Sequence, residues 1–170
     1  MADAPLYAPW RMDYIRSLHT PGAAGCFLCE AGNAKTDAEK ADRLVLWQTD
    51  SCVVLMNRFP YTNGHLLVAP IAHKAETEEL STAEKLDLME QTDQAVRLLK
   101  RAVSAQGFNI GINLGRCAGA GVPGHLHQHV VPRWGGDVNF MSVVGEIQVV
   151  PEAITKLYRE LLKVRAELRS

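Results

Sequence analysis

The chain carries short apolar runs and longer amphipathic stretches in an order that predicts a mixed fold. The runs at 44–48 and 52–56 are rich in β-branched residues and flank the turn residues 49–51, so they predict an antiparallel hairpin. Three further strands are predicted at 65–70, 108–114 and 124–134, and a short one within 143–150. Together these runs predict a largely antiparallel sheet.

Two amphipathic stretches predict helices. Ser81 and Glu84 have the spacing of a capping box, which predicts a long helix from there to about Ser104. Pro151 and Glu152 predict the first turn of a last helix, because proline is tolerated at that position. The apolar stripe is predicted to be Leu86, Met89, Val96, Leu99 and Val103 in the long helix, and Ile154, Leu157, Leu161, Val164 and Leu168 in the last one.

This order of elements predicts an α+β fold, with helices on one face of a mostly antiparallel five-stranded sheet. A chain of 170 residues is long enough to build one domain with a two-layer core. We expect an N-terminal arm at 1–24, a main domain at 25–140, and a C-terminal extension at 141–170 whose helix packs on that domain.

Composition and charge exclude several classes of protein. The chain is 47% hydrophobic and 22% charged, with a formal net charge of −1, so no global basic field would attract a nucleic acid. No apolar run approaches the roughly 20 residues of a membrane span. The N-terminus has no pattern of a signal peptide, and the four cysteines do not have the spacing of a disulfide framework. We therefore expect a cytoplasmic protein.

Three of the six histidines alternate along one predicted strand. Because side chains alternate between the faces of a strand, His125, His127 and His129 share one face. Neighbours on that face are roughly 6.5–7 Å apart, too far for all three to bind one small metal ion, but suited to different tasks along an extended ligand. The glycine-rich residues 118–124 come directly before, and glycine lets backbone N–H groups approach anionic oxygens. The combination predicts a phosphate held beside a neutral imidazole, which is a good nucleophile toward phosphorus.

A Cys-x-x-Cys pair, Cys26 and Cys29, offers two soft ligands within one tight bend. From spacing alone, a zinc site, a redox dithiol and two incidental thiols all remain open. Residues 31–42 are small and charged and predict a loop or a short helix. His65 is interpreted as a histidine with a local hydrogen bond at the start of a strand, and not as a catalyst.

Residues 125–131 resemble the signature of the histidine triad (HIT) superfamily, in which His-x-His-x-His precedes two apolar residues. Residues 57–70 and 108–115 are similar to the family's nucleoside-binding strand–loop–strand and to the strand that pairs with the triad strand. Residues 10–14 and 132–140 resemble the branch that contains bacterial diadenosine tetraphosphate phosphorylases. The resemblance implies a HIT-like fold with one long helix and a C-terminal helix, and a homodimer.

The resemblance also implies roles for individual residues. His127 would attack the α-phosphorus and carry a transient nucleotidyl group, and His129 would contact the α-phosphate and stabilise its charge. Asn57 matches the residue that holds the ribose, and Asn113 would reach the phosphates or the ribose. Gly121 would contact phosphate through its backbone N–H.

A structural zinc ion is implied by the same resemblance. Some family members complete a Cys-x-x-Cys pair with the histidine after the strand-ending proline and the first triad histidine. Here the ligands would be Cys26, Cys29, His73 and His125, a closed Cys2His2 set. Since His125 is two residues from His127, removing the zinc is expected to disturb catalysis as well as stability.

Two positions depart from the family pattern. Gln128 stands where an apolar residue is usual, but it faces away from the triad and so affects packing. Val122 lies in a stretch where many members have Ser, Thr or Gln in contact with phosphate. Because valine cannot donate a hydrogen bond, contacts from this loop would come from backbone N–H groups.

The leading hypothesis is an enzyme that cleaves a dinucleoside polyphosphate, such as diadenosine tetraphosphate, at the α-phosphate. No residue decides between phosphorolysis and hydrolysis. A hydrolase of nucleoside phosphoramidates, and a zinc-stabilised module that binds or senses a purine nucleotide without turnover, are alternatives. A zinc-finger binder of nucleic acid is disfavoured by the net charge of −1.

Overall fold

The structure is a computed structural model of the chain, and it describes residues 25–137 and 153–169. The predicted arm at 1–24, the predicted short strand within 143–150 and the predicted helix start at 151–152 lie outside the described residues. Within the described part, no helix combines the length and the apolar character needed to cross a bilayer.

The described elements follow the predicted order. The α-helices are α1 (Phe27–Asn33), α2 (Asp37–Asp42), α3 (Thr82–Val103) and α4 (Ile154–Arg169). The strands are β1 (Val45–Gln48), β2 (Cys52–Met56), β3 (Leu66–Pro70), β4 (Gly107–Ile112) and β5 (Gln128–Arg133). Short 3-10 helices occupy Thr77–Glu79 and Arg116–Ala118.

The five strands form one sheet in the order β1-β2-β3-β5-β4, and every neighbouring pair is antiparallel. The predicted α+β fold and its β1–β2 hairpin are therefore confirmed. The central strands β2, β3 and β5 have almost no exposed residues, whereas β4 lies at an edge and is largely exposed. This order brings the end of β3 beside the histidine stretch.

The alternation of side chains sorts the core into two layers. One face of the sheet, with Val54 and Val68, packs against α3 and α4 in the main core. The other face, with Leu55 and Leu67, packs against Leu28 of α1 in a smaller cluster. The smaller cluster leaves the β3–β5 part of this second face available for polar groups.

The predicted apolar stripe of α3 is wrong in its first turns. Leu86 and Met89 are 60% and 54% exposed. The buried face consists of Leu88, Gln91, Thr92, Ala95, Leu98 and Leu99. A search for apolar residues misses this face because Gln91 and Thr92 are polar. Both are hydrogen-bonded inside: Trp47 Nε1 donates to Gln91 Oε1 at 2.8 Å, and Thr92 Oγ1 donates to the carbonyl one turn earlier at 2.7 Å.

The ends of α3 agree with the sequence. Ser81 and Glu84 form the predicted capping box, in which Ser81 Oγ accepts from the Glu84 N–H at 3.2 Å. The helix ends at Val103, followed by Ser104 in a left-handed conformation. In α4, the predicted Leu157 and Leu161 are buried, but Leu168 is 52% exposed because it lies in the last turn, beyond the buried part of the helix.

Two local boundaries differ from the sequence predictions. The Cys-x-x-Cys pair occupies the first turn of α1, with Cys26 at the N-cap and Cys29 inside the helix. The strand β5 begins at Gln128, so His125 and His127 precede it. The chain before β5 is held instead by the Leu126 N–H, which donates to the Lys74 carbonyl at 2.7 Å.

Candidate active site and metal centre

The side chains of the histidine stretch alternate between two faces, as predicted. Leu126 and Val130 belong to the main core, and Gln128 Nε2 donates to Thr92 Oγ1 at 2.9 Å on that side. The imidazoles of His127 and His129 face the other way, with their ring centroids 5.0 Å apart. The interpretation of Gln128 as a packing residue is therefore confirmed.

A fourth histidine joins this cluster, and the sequence interpretation missed it. His65 is 1% exposed, and its Nε2 lies 2.9 Å from His129 Nδ1, across 64 positions of sequence. The register explains the contact, because Leu67 pairs with His129 and His65 lies on the same face as Leu67. Only the pairing of β3 with β5 could have revealed this role.

The hydrogen bonds assign the proton positions of His65 and His129. The Tyr61 N–H donates to His65 Nδ1 at 3.1 Å, and Asn57 Nδ2 lies 3.2 Å from the same atom. His65 therefore carries its proton on Nε2 and donates it to His129 Nδ1. The proton of a neutral His129 then lies on Nε2.

Burial keeps both imidazoles uncharged at neutral pH. Desolvation, followed by repulsion from His129 and His127, lowers the pKa of His65 to about 3. Desolvation, followed by repulsion from His127, lowers the pKa of His129 to about 4. The Tyr61 ring contributes to this burial, because its centroid lies 4.6 Å from that of His65 and 5.7 Å from that of His129.

The Nε2 atom of His129 is buried and has no hydrogen-bond partner among the residues that the structure describes. A buried donor without an acceptor costs about 1–3 kcal/mol. An anionic oxygen of a ligand would satisfy it. The arrangement therefore fits a phosphate contact at this atom.

His127 has the opposite proton arrangement. Its Nδ1 donates to the backbone carbonyl of His125 at 2.8 Å. In a neutral imidazole this leaves Nε2 with a free lone pair. The site thus holds an unprotonated ring nitrogen on His127 beside an N–H donor on His129.

A second cluster lies at the start of the histidine stretch. Ligand atoms of Cys26, Cys29, His73 and His125 all lie within 4.8 Å of one another and could hold a metal ion. His125 Nδ1 is 3.2 Å from Cys26 Sγ and 3.4 Å from Cys29 Sγ, and His73 Nδ1 is 3.2 Å from Cys29 Sγ. The structure therefore brings together all four residues that the resemblance implies as ligands.

The orientation of His125 is set by a backbone group. Its Nε2 donates to the Pro70 carbonyl at 2.8 Å, which leaves Nδ1 unprotonated and directed at the two sulfur atoms. Hydrogen bonds of this kind orient metal-ligating histidines in general. His125 also accepts the His127 hydrogen bond through its carbonyl, so it belongs to both clusters.

The three remaining residues implied as nucleotide contacts lie in loops. Asn57 follows β2, and its Oδ1 accepts from the Phe59 N–H at 3.0 Å. Asn113 is half-buried directly after β4, and Gly121 is exposed in the loop before the histidines. Asn57 contacts the His65 side of the cluster, as described above, and the roles of all three as ligand contacts stay predictions.

Comparison with known proteins identifies the same region. The family model described as "HIT domain" matches residues 38–136. The "AP-4-A phosphorylase" of Mycobacterium tuberculosis (strain ATCC 25618 / H37Rv) is 35% identical over 158 residues, which are 92% of this chain and 81% of the relative. The "Bis(5'-nucleosyl)-tetraphosphatase [asymmetrical]" of Schizosaccharomyces pombe is 32% identical over 100 residues, or 59% and 54% of the two chains.

Solved structures share the fold. A Zn-bound histidine triad family protein from Mycobacterium smegmatis superposes with a TM-score of 0.66 at 24% identity, covering 85% of this chain and 96% of the other. A hypothetical histidine triad nucleotide-binding protein from Sulfolobus tokodaii superposes equally well, with a TM-score of 0.66 at 23% identity and coverage of 85% and 94%. At these identities the likeness concerns the fold.

Proposed function

Since this chain belongs to the HIT domain family, we propose that it is an enzyme that cleaves dinucleoside polyphosphates at the α-phosphate. The names of its relatives support this substrate class, because they act on AP-4-A and on bis(5'-nucleosyl)-tetraphosphates. The observation that carries the proposal is the pair of opposite proton positions on His127 and His129. A nucleophilic nitrogen and a hydrogen-bond donor would thus meet one ligand from adjacent rings, whose centroids are 5.0 Å apart.

In the first step, the Nε2 lone pair of His127 attacks the α-phosphorus. A P–N bond forms, the bond from phosphorus to the bridging oxygen breaks, and its electron pair leaves with the departing nucleotide. The bond from His127 Nδ1 to the His125 carbonyl stabilises the positive charge that develops on the ring. His129 Nε2 donates to a non-bridging oxygen, where negative charge accumulates in the transition state.

In the second step, an acceptor displaces His127 from phosphorus. Attack by inorganic phosphate forms a nucleoside diphosphate, and attack by water forms a nucleoside monophosphate with release of a proton to solvent. In both cases the P–N bond breaks and its electrons return to His127 Nε2. With diadenosine tetraphosphate the products are ATP and ADP by phosphorolysis, or ATP and AMP by hydrolysis.

We also propose that the Cys2His2 cluster binds a structural zinc ion. Zinc bonded at about 2.3 Å to sulfur and about 2.0 Å to nitrogen separates tetrahedral sulfur and nitrogen ligands by about 3.5 Å. The measured sulfur–nitrogen distances of 3.2–3.4 Å are close to that value. The ion would hold α1 against the residues before β5 and so fix the His125 carbonyl.

Two further assignments complete the proposal. Asn57 and Asn113 would contact ribose or phosphate, and the backbone N–H of Gly121 would contact phosphate. A homodimer would form through β4, since this edge strand exposes Ile110 at 47% and has a partner strand on one side only among the described residues. Size-exclusion chromatography with light scattering would test the dimer.

The activity is tested by incubating the protein with diadenosine tetraphosphate, with and without phosphate, and separating the products. ATP with ADP, formed only when phosphate is present, identifies a phosphorylase, and ATP with AMP identifies a hydrolase. If the protein turned over only an adenosine phosphoramidate, this simpler compound would replace the dinucleoside polyphosphate as the proposed substrate. Binding with no turnover of either compound would overturn the enzymatic proposal.

A further inference from the structure

The cluster of His65, His127 and His129, here called the reaction centre, offers few positive charges to a polyanionic substrate. His65 and His129 are neutral at pH 7 because burial lowers both pKa values. Lys74 lies beside the histidine stretch, because its carbonyl accepts from the Leu126 N–H. Its ammonium donates hydrogen bonds to both Glu84 carboxylate oxygens at 2.7 Å. Neither the histidines nor this lysine therefore supplies a free positive charge.

At the other end of β5 the charge is also neutralised. Arg133 Nε and Nη2 donate to the two oxygens of Asp137 at 2.6 and 2.9 Å. Arg133 Nη1 donates to Asn109 Oδ1 at 2.9 Å. This guanidinium is engaged in a bidentate pair, so it too is an unsuitable partner for a chain of phosphates.

Arg116 is different from these residues. It is the only Asp, Glu, Lys or Arg residue in the segment 107–132, which contains β4, the glycine-rich loop and the histidines. It is exposed, and its side chain has no hydrogen bond or ion pair among the residues that the structure describes. A guanidinium that has no acidic partner within the described part of the chain is suited to an anionic ligand.

The loop holds Arg116 in a defined turn. Gly115 and Gly119 flank the 3-10 helix with φ of +77° and +88°, which glycine adopts without strain. The Gly119 N–H donates to the Arg116 carbonyl at 3.0 Å, and the Ala120 N–H donates to the Gly115 carbonyl at 3.3 Å. Asn113 Nδ2 lies 4.0 Å from the position that a Gly119 Cβ would take, so this turn packs against Asn113.

Asn113 links the Arg116 turn to the histidine stretch. It directly follows Ile112, whose partner in the β4–β5 ladder is Gln128, between His127 and His129. The Arg116 turn thus lies at the end of β4 where the reacting imidazoles enter the sheet. A ligand whose α-phosphate contacts those imidazoles could extend its remaining phosphates along the glycine-rich loop, which carries Arg116.

We propose that Arg116 binds the phosphates of the leaving nucleotide and makes the enzyme specific for substrates with an extended polyphosphate chain. This inference rests on the proposed function. Arginine suits the task because its planar guanidinium can donate two parallel hydrogen bonds to phosphate oxygens. Substrates with a single phosphate would not reach this residue.

The test compares Arg116→Gln and Arg116→Lys with the wild-type protein on diadenosine tetraphosphate and on an adenosine 5'-phosphoramidate. With the tetraphosphate, kcat/KM should fall about tenfold or more in Arg116→Gln and less in Arg116→Lys, as expected for a charge-assisted contact. With the phosphoramidate, kcat/KM should be unchanged. Arg159→Gln, an exposed position on α4, is the matched loss of one charge and should leave both substrates unaffected.

Equal losses on both substrates, or no loss on the tetraphosphate, would overturn the inference. A second measurement separates it from the proposed function. Calorimetry with inorganic tripolyphosphate should show a Kd about tenfold weaker for Arg116→Gln than for Arg159→Gln. If the wild-type protein turned over neither substrate, the proposed function would fail, and an unchanged tripolyphosphate Kd would then also reject the role of Arg116.

Discussion

The candidate metal cluster and the candidate reaction centre both contain histidines, yet these histidines present different atoms to a ligand. His125 donates from Nε2 to the Pro70 carbonyl and keeps Nδ1 free. Two residues later, His127 donates from Nδ1 to the His125 carbonyl and keeps Nε2 free. The contrast shows that a neighbouring carbonyl decides which ring nitrogen a histidine presents to a ligand.

His129 adds a third case. Its Nδ1 accepts from another imidazole, that of His65, so its own Nε2 becomes a donor. In the proposed roles, a metal site needs only acceptor nitrogens, whereas the reaction needs one acceptor and one donor. These proposed roles account for the fourth buried histidine, His65, beside His129.

The largest expected effect is on the nucleophile. His127→Asn should reduce turnover of diadenosine tetraphosphate by about 10⁴-fold or more, because the attacking nitrogen is removed. The asparagine amide can still donate to the His125 carbonyl, so nucleotide binding and metal content should be retained. Product analysis, calorimetry and metal analysis measure the three quantities. Substantial turnover in this variant would exclude the covalent step on His127.

A metal ligand should affect a different set of properties. His73→Ala should weaken zinc binding by at least about 100-fold and lower the Tm, because one of four ligands is lost. Turnover should also fall, since His125 then holds its carbonyl less firmly beneath His127. Metal content by mass spectrometry and thermal unfolding are the measurements. Unchanged metal content in this variant would end the assignment of His73 as a ligand.

His65→Leu should lower kcat by about 10- to 100-fold, a smaller effect than that of the nucleophile, because leucine cannot donate the hydrogen bond that sets the tautomer of His129. Metal content should stay at the wild-type level, which separates this variant from His73→Ala. Nitrogen-15 spectra of the imidazoles should show a shift of the His129 proton between Nε2 and Nδ1. A wild-type spectrum in the variant would mean that His65 does not control the tautomer.

The pH dependence of stability tests whether the two neutral imidazoles are buried. Burial lowers the pKa of His65 to about 3 and that of His129 to about 4, against an ordinary value of about 6.5. The unfolded chain therefore binds more protons below pH 6.5, and the stability from these groups is present above that pH. It should be lost as the pH falls from 6.5 toward 4.

Thermal unfolding between pH 7 and pH 4.5 measures this dependence. The Tm of the wild-type protein should decline over this range more steeply than that of His129→Gln, which lacks one of the two groups. Parallel curves for the two proteins would show that His129 is not buried in its neutral form. Repeating the measurement on zinc-free wild-type protein and zinc-free His129→Gln separates this effect from the loss of zinc when its ligands are protonated.

Much of the fold could be predicted because it follows from local patterns. The capping box at Ser81 and the β1–β2 hairpin depend on residues close in sequence, whose turn and cap hydrogen bonds form within a few positions. The alternation of His127, Gln128 and His129 follows from the period of extended chain. These features were correctly predicted.

The tertiary structure decided the features that depend on distant partners. The buried face of α3 includes Gln91 because Trp47, 44 residues away, satisfies its side chain. No local pattern signals that contact, so an apolar count selected Leu86 and Met89 instead.

In the histidine cluster, too, some features were determined by the sequence and others by the tertiary structure. By itself, the sequence determined which imidazoles face one way and, through its resemblance to a family, which residues are candidates for metal and phosphate. Only the placement of β3 beside β5 brought His65 to His129, and only the carbonyls of Pro70 and His125 decided which nitrogen of each ring is free. The physical reason is that side-chain direction is a property of the local backbone, whereas a tautomer is selected by the groups packed around the ring.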